Sequence, residues 1–201
     1  TNGPGWCGSS GPWVTPELSM QVLVSSTATV EGGAKDVSAP PHATNKKREA
    51  DTFDSVVKFA DFYRDVAILA YPADHSPVAP GEVIDLTDKL GEKDTLAWVP
   101  PPGKWTILRI GTVSTGSSTR PPVKGGNGLE IDKLSAEAMD LQFDKQMGTL
   151  IKAAGKMAGP TLSATHIDSW EVGAQNWTPK MRDEFRKRRG YDPLPYLPNI
   201  I

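Results

Sequence analysis

Two rhythms of apolar residues divide this chain. Through residues 20–113 the apolar positions come in short runs at 20–24, 65–71, 82–86, 95–99 and 104–110, separated by Gly, Pro, Ser, Thr and charged residues. Runs of that length bounded by turn formers predict strands. The run 65–71 is continuously apolar after Asp65 and stops at Pro72, which suits a strand buried on both faces. Runs 95–99 and 104–110 flank Pro100-Pro-Pro-Gly103 and predict a hairpin with Trp98 and Trp105 as cross-strand neighbours. Residues 53–63 fit either a strand or a short helix. Residues 31–52 are polar, carry Pro40-Pro41 and Lys46-Lys47-Arg48, and predict an exposed loop or hairpin tip. Several short strands with turns between them point to a β-sandwich-like module.

After residue 128 the period changes. Ser135 stands where an N-cap belongs, with Glu137 in the first turn. Met139, Phe143, Met147, Leu150, Ile151 and Ala154 then recur at helical spacing as one apolar stripe, closed by Gly155 and Gly159-Pro160. A short buried strand is expected to lead into Asp168. A second helix is expected from Thr178, with Pro179 at its first position, Met181 and Phe185 on one face and Gly190 as its terminator. The order helix, strand, helix is that of an α/β region.

The chemistry concentrates in residues 162–178. There Asp168 and Glu171 bracket Trp170, and Gln175 and Asn176 precede Trp177. Flat aromatic rings stack on sugar faces, and carboxylates and amides bond to hydroxyls, so the stretch reads as a sugar site at a strand end. The plainer alternative is a capped strand–loop–helix with its tryptophans in the core. Residues 1–19 form a Gly- and Pro-rich loop with Trp6 and Trp13, either a ligand-facing loop or one anchored to the core by its tryptophans. It lacks the lysine and spacing of a phosphate loop.

Composition narrows the choice. A net charge of −2 offers no basic field for nucleic acid, and no apolar run reaches the length of a membrane span. The single cysteine, Cys7, excludes an internal disulfide or multi-cysteine metal site and is read as inert. His42, His75 and His166 show no metal-ligand spacing. Both ends read as cut from something longer.

The chain resembles the glycoside hydrolase family 106 α-L-rhamnosidases. The resemblance rests on Asn2-Gly-Pro-Gly-Trp6, Gly11-Pro-Trp-Val-Thr-Pro-Glu17, Tyr63-Arg-Asp-Val-Ala-Ile-Leu-Ala-Tyr-Pro72, Gly103-Lys-Trp-Thr-Ile-Leu-Arg109, Gly128-Leu-Glu-Ile-Asp-Lys-Leu-Ser135, His166-Ile-Asp-Ser-Trp-Glu-Val-Gly-Ala-Gln-Asn-Trp-Thr178, Arg189-Gly-Tyr-Asp192 and Leu194-Pro-Tyr-Leu-Pro198. It implies α/β plus all-β architecture, a partial (β/α)8 barrel interrupted by a β-sandwich-like insertion. On that reading residues 1–19 are a barrel strand-end loop, 20–118 the insertion and 119–201 a barrel segment.

The resemblance also implies an inverting exo-rhamnosidase of which this chain is an inactive piece, acting on a carbohydrate substrate outside the cytoplasm, extracellular or periplasmic. Neither nucleic acid nor membrane is an expected partner; the remainder of the parent polypeptide is. Glu171 is the expected general acid. Asn2, Trp6, Glu130, Asp168, Trp170, Gln175 and Asn176 are the expected substrate-binding residues. Asp168 could equally be a structural strand-end carboxylate, and Glu130 a helix-entry salt bridge to Lys133. A calcium ion is implied, with its ligands undetermined, and the catalytic base is expected beyond this chain. The alternative is a non-catalytic carbohydrate-binding module or a scaffold piece.

Overall fold

The computed structural model describes residues 10–43, 62–118, 126–166 and 173–201. These fall into two compact units: 10–22, 62, 114–118, 126–166 and 173–178 in one, and 23–43, 63–113 and 179–201 in the other.

The second unit is built on a four-stranded sheet. Its strands are β2 (Gln21–Glu31), β3 (Tyr63–Pro72), β4 (Ile84–Asp85) and β5 (Lys104–Ser114), in the order β2-β5-β3-β4. β3 pairs antiparallel with both β4 and β5. The apolar run at 65–71 is buried on both faces, as its composition predicts, and its side chains alternate between two clusters. Ile68 and Ala70 pack with Ile107, Val37, Ala39, Leu86 and Leu96 on one face. Ala67 and Leu69 pack with Leu108, Ile110, Leu194 and Leu197 on the other. Fully burying each Ile or Leu of these clusters contributes about 1.5–3 kcal/mol.

The faces are covered by loops and 3-10 turns. Among the described residues these strands make one sheet, where two packed sheets were expected. The expected hairpin across Pro100–Gly103 is also absent as a ladder. Residues 95–99 make only isolated bridges, Ser38↔Thr95 and Leu90↔Leu96. β5 lies between β2 and β3 and so has no free edge for them. Trp98 and Trp105 still meet edge to face, centroids 5.8 Å apart. Residues 32–43, expected to be exposed, bury Val37, Ala39 and Pro40 against the sheet.

One buried cation ties this unit together. Arg109, 2% exposed, points its fork at Asp65, with Nε and Nη2 donating over 2.8 and 2.7 Å. Its Nη1 donates to Asp94 at 2.8 Å and to the Pro40 carbonyl at 3.1 Å. Burial pushes the Asp65 carboxyl up, but the hydrogen bonds from Arg109 and Tyr63 outweigh it and hold the group below the usual aspartate value. Burial, reinforced by the bond to Asp65, raises the Tyr63 phenol. The Tyr63 ring occupies the space a side chain at 111 would need: a Cβ there would sit 2.2 Å from it, so glycine is required.

Helix α3 (Met181–Arg189) ends at Gly190 in the left-handed region, φ +79°, as the sequence predicts. It begins two residues later than expected, with Lys180 rather than Thr178 at the N-cap. The Thr178 hydroxyl is committed elsewhere, as described below. Arg182 grips Asp192 through Nε and Nη2, which closes the turn after the helix.

The first unit pairs β1 (Ser10–Gly11) antiparallel with β6 (Leu129–Glu130). The two backbones approach so closely that a Cβ at Gly128 would lie 2.0 Å from the Gly11 carbonyl oxygen. Helix α1 (Ala136–Phe143) starts at Ser135, whose hydroxyl accepts from the Ala138 N–H at 3.3 Å. A π turn (Asp144–Gly148) separates α1 from α2 (Thr149–Ala154). Its wider winding shifts the phase of the following residues, so the stripe counted at 3.6 residues does not stay on one face. The buried positions of α1 are Ala138 and Gln142, while Phe143 is 51% and Ile151 41% exposed. Gln142 is buried because it accepts from the Trp13 indole N–H at 2.8 Å. Trp13 packs against Val14, Leu129, Ile131 and Ala138, so this tryptophan anchors the first loop to the core.

The strand expected before Asp168 is not formed over 163–166, which are exposed and without regular structure. Among the described residues no strand pairs with them, and an unpaired strand is not stable. Leu162 makes one isolated parallel bridge, to Ala158. The pairs β1–β6, β3–β4 and β3–β5 are antiparallel, unlike the parallel strands of a (β/α)8 barrel.

Candidate functional site

Of the residues proposed for chemistry, Asn2, Trp6, Asp168, Trp170 and Glu171 lie outside the described residues. Glu130, Gln175 and Asn176 lie within them, all in the first unit.

Segment 18–21 is the hub that positions them. The Met20 N–H donates to the Glu130 carbonyl at 2.9 Å, and its carbonyl accepts from Thr115 at 2.8 Å. The Asp132 N–H donates to the Leu18 carbonyl at 2.8 Å. Ser19 bridges Ile131, and Gln21 bridges Trp177, both antiparallel. The Glu130 N–H reaches the Ser117 carbonyl at 2.8 Å. Segments far apart in sequence are thus laid side by side by main-chain bonds. The apolar residues beneath them, Met20, Leu129 and Ile131, are fully or almost fully buried.

Glu130 is 1% exposed, and its Oε2 accepts from Lys133 Nζ at 2.9 Å. The same ammonium lies 3.6 Å from the Met20 sulfur. This is the salt-bridge geometry the spacing Glu130-Ile-Asp-Lys133 allowed for. Asp132 is also 1% exposed. Its Oδ1 accepts from the Leu134 N–H at 2.9 Å and from the Gln175 carboxamide, and its Oδ2 accepts from the Thr178 hydroxyl at 2.7 Å. The second Gln175 N–H goes to the Trp177 carbonyl at 2.9 Å. Structure thus brings Gln175 to Asp132, 43 residues away, and both to the β6 end that carries Glu130.

The importance of Asp132 was missed in the sequence. Only its alternation with Glu130 and its place three residues before the Ser135 cap marked it. Asn176 is exposed, with its N–H directed at the Gln21 carbonyl at 3.4 Å. Trp177 is 7% exposed and serves as core.

Calcium takes six to eight oxygen ligands. Among the described residues there is no group of three or more His, Cys, Asp or Glu able to hold a metal ion. Both oxygens of Asp132 already accept hydrogen bonds, and Glu130 faces an ammonium. These two acids therefore do not fit a calcium site as they stand. Among the described residues no helix is long and apolar enough to cross a membrane.

Comparison with known proteins gives the setting. A family model described as alpha-L-rhamnosidase (Glyco_hydro_106) matches residues 1–78 and 72–201. The chain is 32% identical over 230 residues to a Formosa agariphila protein provisionally named a beta-glucuronidase, covering 99% of this chain and 19% of that protein. It superposes on the structure of a rhamnosidase from Novosphingobium sp. PP1Y with a TM-score of 0.77 at 21% identity, over 98% of this chain and 34% of that one. That likeness shows a shared fold. The chain spans about a fifth of the first relative and a third of the second.

Proposed function

The chain belongs to glycoside hydrolase family 106, and on that premise we propose that it is the central part of an inverting exo-α-L-rhamnosidase, releasing terminal rhamnose from a polysaccharide or glycoside. The observation that carries the reading is the family match, which runs from the first residue to the last. Residues 20–118 are assigned to a β-rich insertion in a (β/α)8 barrel, and 1–19 and 119–201 to the barrel itself. The parent acts outside the cytoplasm; cell fractionation of the native host tests this.

Glycoside hydrolysis needs one carboxyl group to protonate the leaving oxygen and another to activate water, about 6.5–9.5 Å apart in an inverting enzyme. Glu171 is assigned as the acid, and Trp170 beside it would favour the protonated form by excluding water. The base is supplied from outside this chain. Asn2, Trp6, Asp168, Trp170, Gln175, Asn176 and Glu130 are assigned to the sugar subsite. Calcium, if it serves the parent, draws its ligands from beyond the described residues; chelation followed by calcium add-back tests it.

Glu171→Gln in the full-length enzyme tests the acid. The expected outcome is a loss of about 10²–10⁴-fold in hydrolysis of an unactivated rhamnoside. Unchanged hydrolysis removes the assignment. The 201-residue chain alone is expected to release no rhamnose, since it holds half of the carboxyl pair. The name of the Formosa relative supports a second reading, a glucuronide substrate. Aryl α-L-rhamnoside and aryl β-D-glucuronide assayed in parallel separate the two. Binding of sugar without turnover of either would favour a non-catalytic carbohydrate-binding module.

A further inference from the structure

We propose that the second unit carries a binding surface for an acidic polysaccharide: a row of aromatic rings, Phe185, Tyr191 and Tyr196, bordered by the arginines in the last turn of α3. The surface is formed whichever residue serves as the general acid.

Three observations point to it. First, the rings are continuous and open. Phe185 meets Tyr191 with centroids 5.1 Å apart, and Tyr191 meets Tyr196 at 5.3 Å, at interplanar angles of 84° and 62°. These rings meet edge-on rather than face to face, and Tyr191 and Tyr196 remain 48% and 42% exposed. Apolar residues scattered singly on a surface need no explanation, but neighbouring ones mark a binding surface. Tyrosine offers a flat apolar body with a hydroxyl at its tip and few torsions to fix. A sugar ring matches it, with C–H groups on its face and hydroxyls at its edge.

Second, the row is held from beneath. Leu194 and Leu197 flank Tyr196 in a 3-10 turn and are buried with Leu108 and Ile110 of the sheet. Arg182 Nη2 donates at 2.7 Å to Asp192, the neighbour of Tyr191. The Asn199 carboxamide accepts from the Val78 N–H at 2.9 Å and donates to its carbonyl at 2.8 Å. Rings fixed beforehand lose little freedom on binding.

Third, the border is cationic. Residues 179–201 hold six Lys or Arg against three Asp or Glu, in a chain whose net charge is −2. Arg188 and Arg189 follow Phe185 by three and four positions and so share its helix face. Arg188 is 74% exposed and pairs with Glu184, while Arg189 makes no ion pair among the described residues. Arginine takes a carboxylate through two parallel hydrogen bonds. A neutral glycan would draw on the rings alone, and a covering stretch of apolar polypeptide would strip the arginines of water. A glycan bearing carboxylates uses both features.

The test uses the full-length enzyme, with polygalacturonate as the acidic probe and dextran as the neutral one. Nitration read by mass spectrometry is expected to modify Tyr191 and Tyr196 in the free enzyme, and to slow several-fold at both with polygalacturonate but not with dextran. Tyr191→Ala should weaken polygalacturonate binding, measured by calorimetry, about tenfold, the loss expected for an aromatic anchor. Arg189→Ala should weaken it about threefold, and salt raised to about 0.5 M should weaken the wild type as well. Arg189 is exposed, so its variant decides the matter should Tyr191→Ala fail to fold.

No binding of polygalacturonate, equal binding of dextran, or binding unchanged by both substitutions overturns the proposal. So does resistance of Tyr191 and Tyr196 to nitration in the free enzyme, since another stretch of polypeptide would then cover the rings.

Discussion

Each unit buries charge, and Arg109 in one and Asp132 in the other are satisfied differently. In the second, Arg109 is neutralised by Asp65 and Asp94, which are 27% and 47% exposed, so the ion network reaches from the core to solvent. In the first, Asp132 is 1% exposed and is satisfied by an amide N–H, a carboxamide and a hydroxyl, all neutral. The Arg109 arrangement draws its strength from opposite charge and bidentate geometry. The Asp132 arrangement relies on three placed donors, one from Leu134 and two from segment 175–178.

The largest expected effect comes from the scaffold. Arg109→Ala should destabilise by about 3 kcal/mol, the low end for breaking a buried ion pair because both aspartates can regain water. Urea denaturation read by tryptophan fluorescence measures it, and a loss well under 1 kcal/mol would mean the network is ornament. Asp132→Ala should cost about 2 kcal/mol, by orphaning donors in a buried place. Its cost should be nearly unchanged in 1 M salt, whereas part of the Arg109 effect should be screened. Equal salt dependence at both sites would erase the contrast drawn above.

The pH dependence follows from signs alone. The folded-state pKa of Asp65 lies below its ordinary value, so its contribution is present above about pH 4 and is lost as pH falls through the folded-state value. Tyr63 is raised, so its contribution is complete below about pH 10 and is lost as pH climbs beyond. Asp65→Asn should flatten the acid limb of a denaturation profile at a cost of about 1 kcal/mol near neutrality, and Tyr63→Phe should flatten the alkaline limb. The smallest effect is expected at the exposed Glu184–Arg188 pair of α3, 3.0 Å apart. Arg188→Ala should change stability by no more than about 0.5 kcal/mol, which sets the floor for the series.

Much of the local structure was legible in the residues themselves. The apolar run before Pro72 became β3, Ser135 capped α1, and Gly190 closed α3, because each depends on neighbours within one or two turns. Reading failed where a distant partner decided the outcome. The 95–99 run has strand composition, but β5 had already spent both edges on β2 and β3. The Met139–Ala154 stripe was counted on an unbroken helix; the π turn shifts the residues after it, and within α1 the Trp13 indole holds Gln142 inside while Phe143 is 51% exposed. At the candidate site the sequence marked Glu130, Gln175 and Asn176 by residue type. It ranked Asp132 below them, although Asp132 is the group that gathers the segment.

What the sequence by itself determined is therefore the inventory and the local punctuation: strands, caps, terminators, a carboxylate- and tryptophan-rich stretch, and the motifs that place the chain in its family. Tertiary structure alone decided which carboxylate meets which donor. Asp65 and Arg109 stand 44 residues apart, and Asp132 and Thr178 stand 46 apart. The physical reason is one of range. Caps and periodicity are set by bonds spanning three or four residues, whereas the partner of a buried charge is set by which backbones the core draws together.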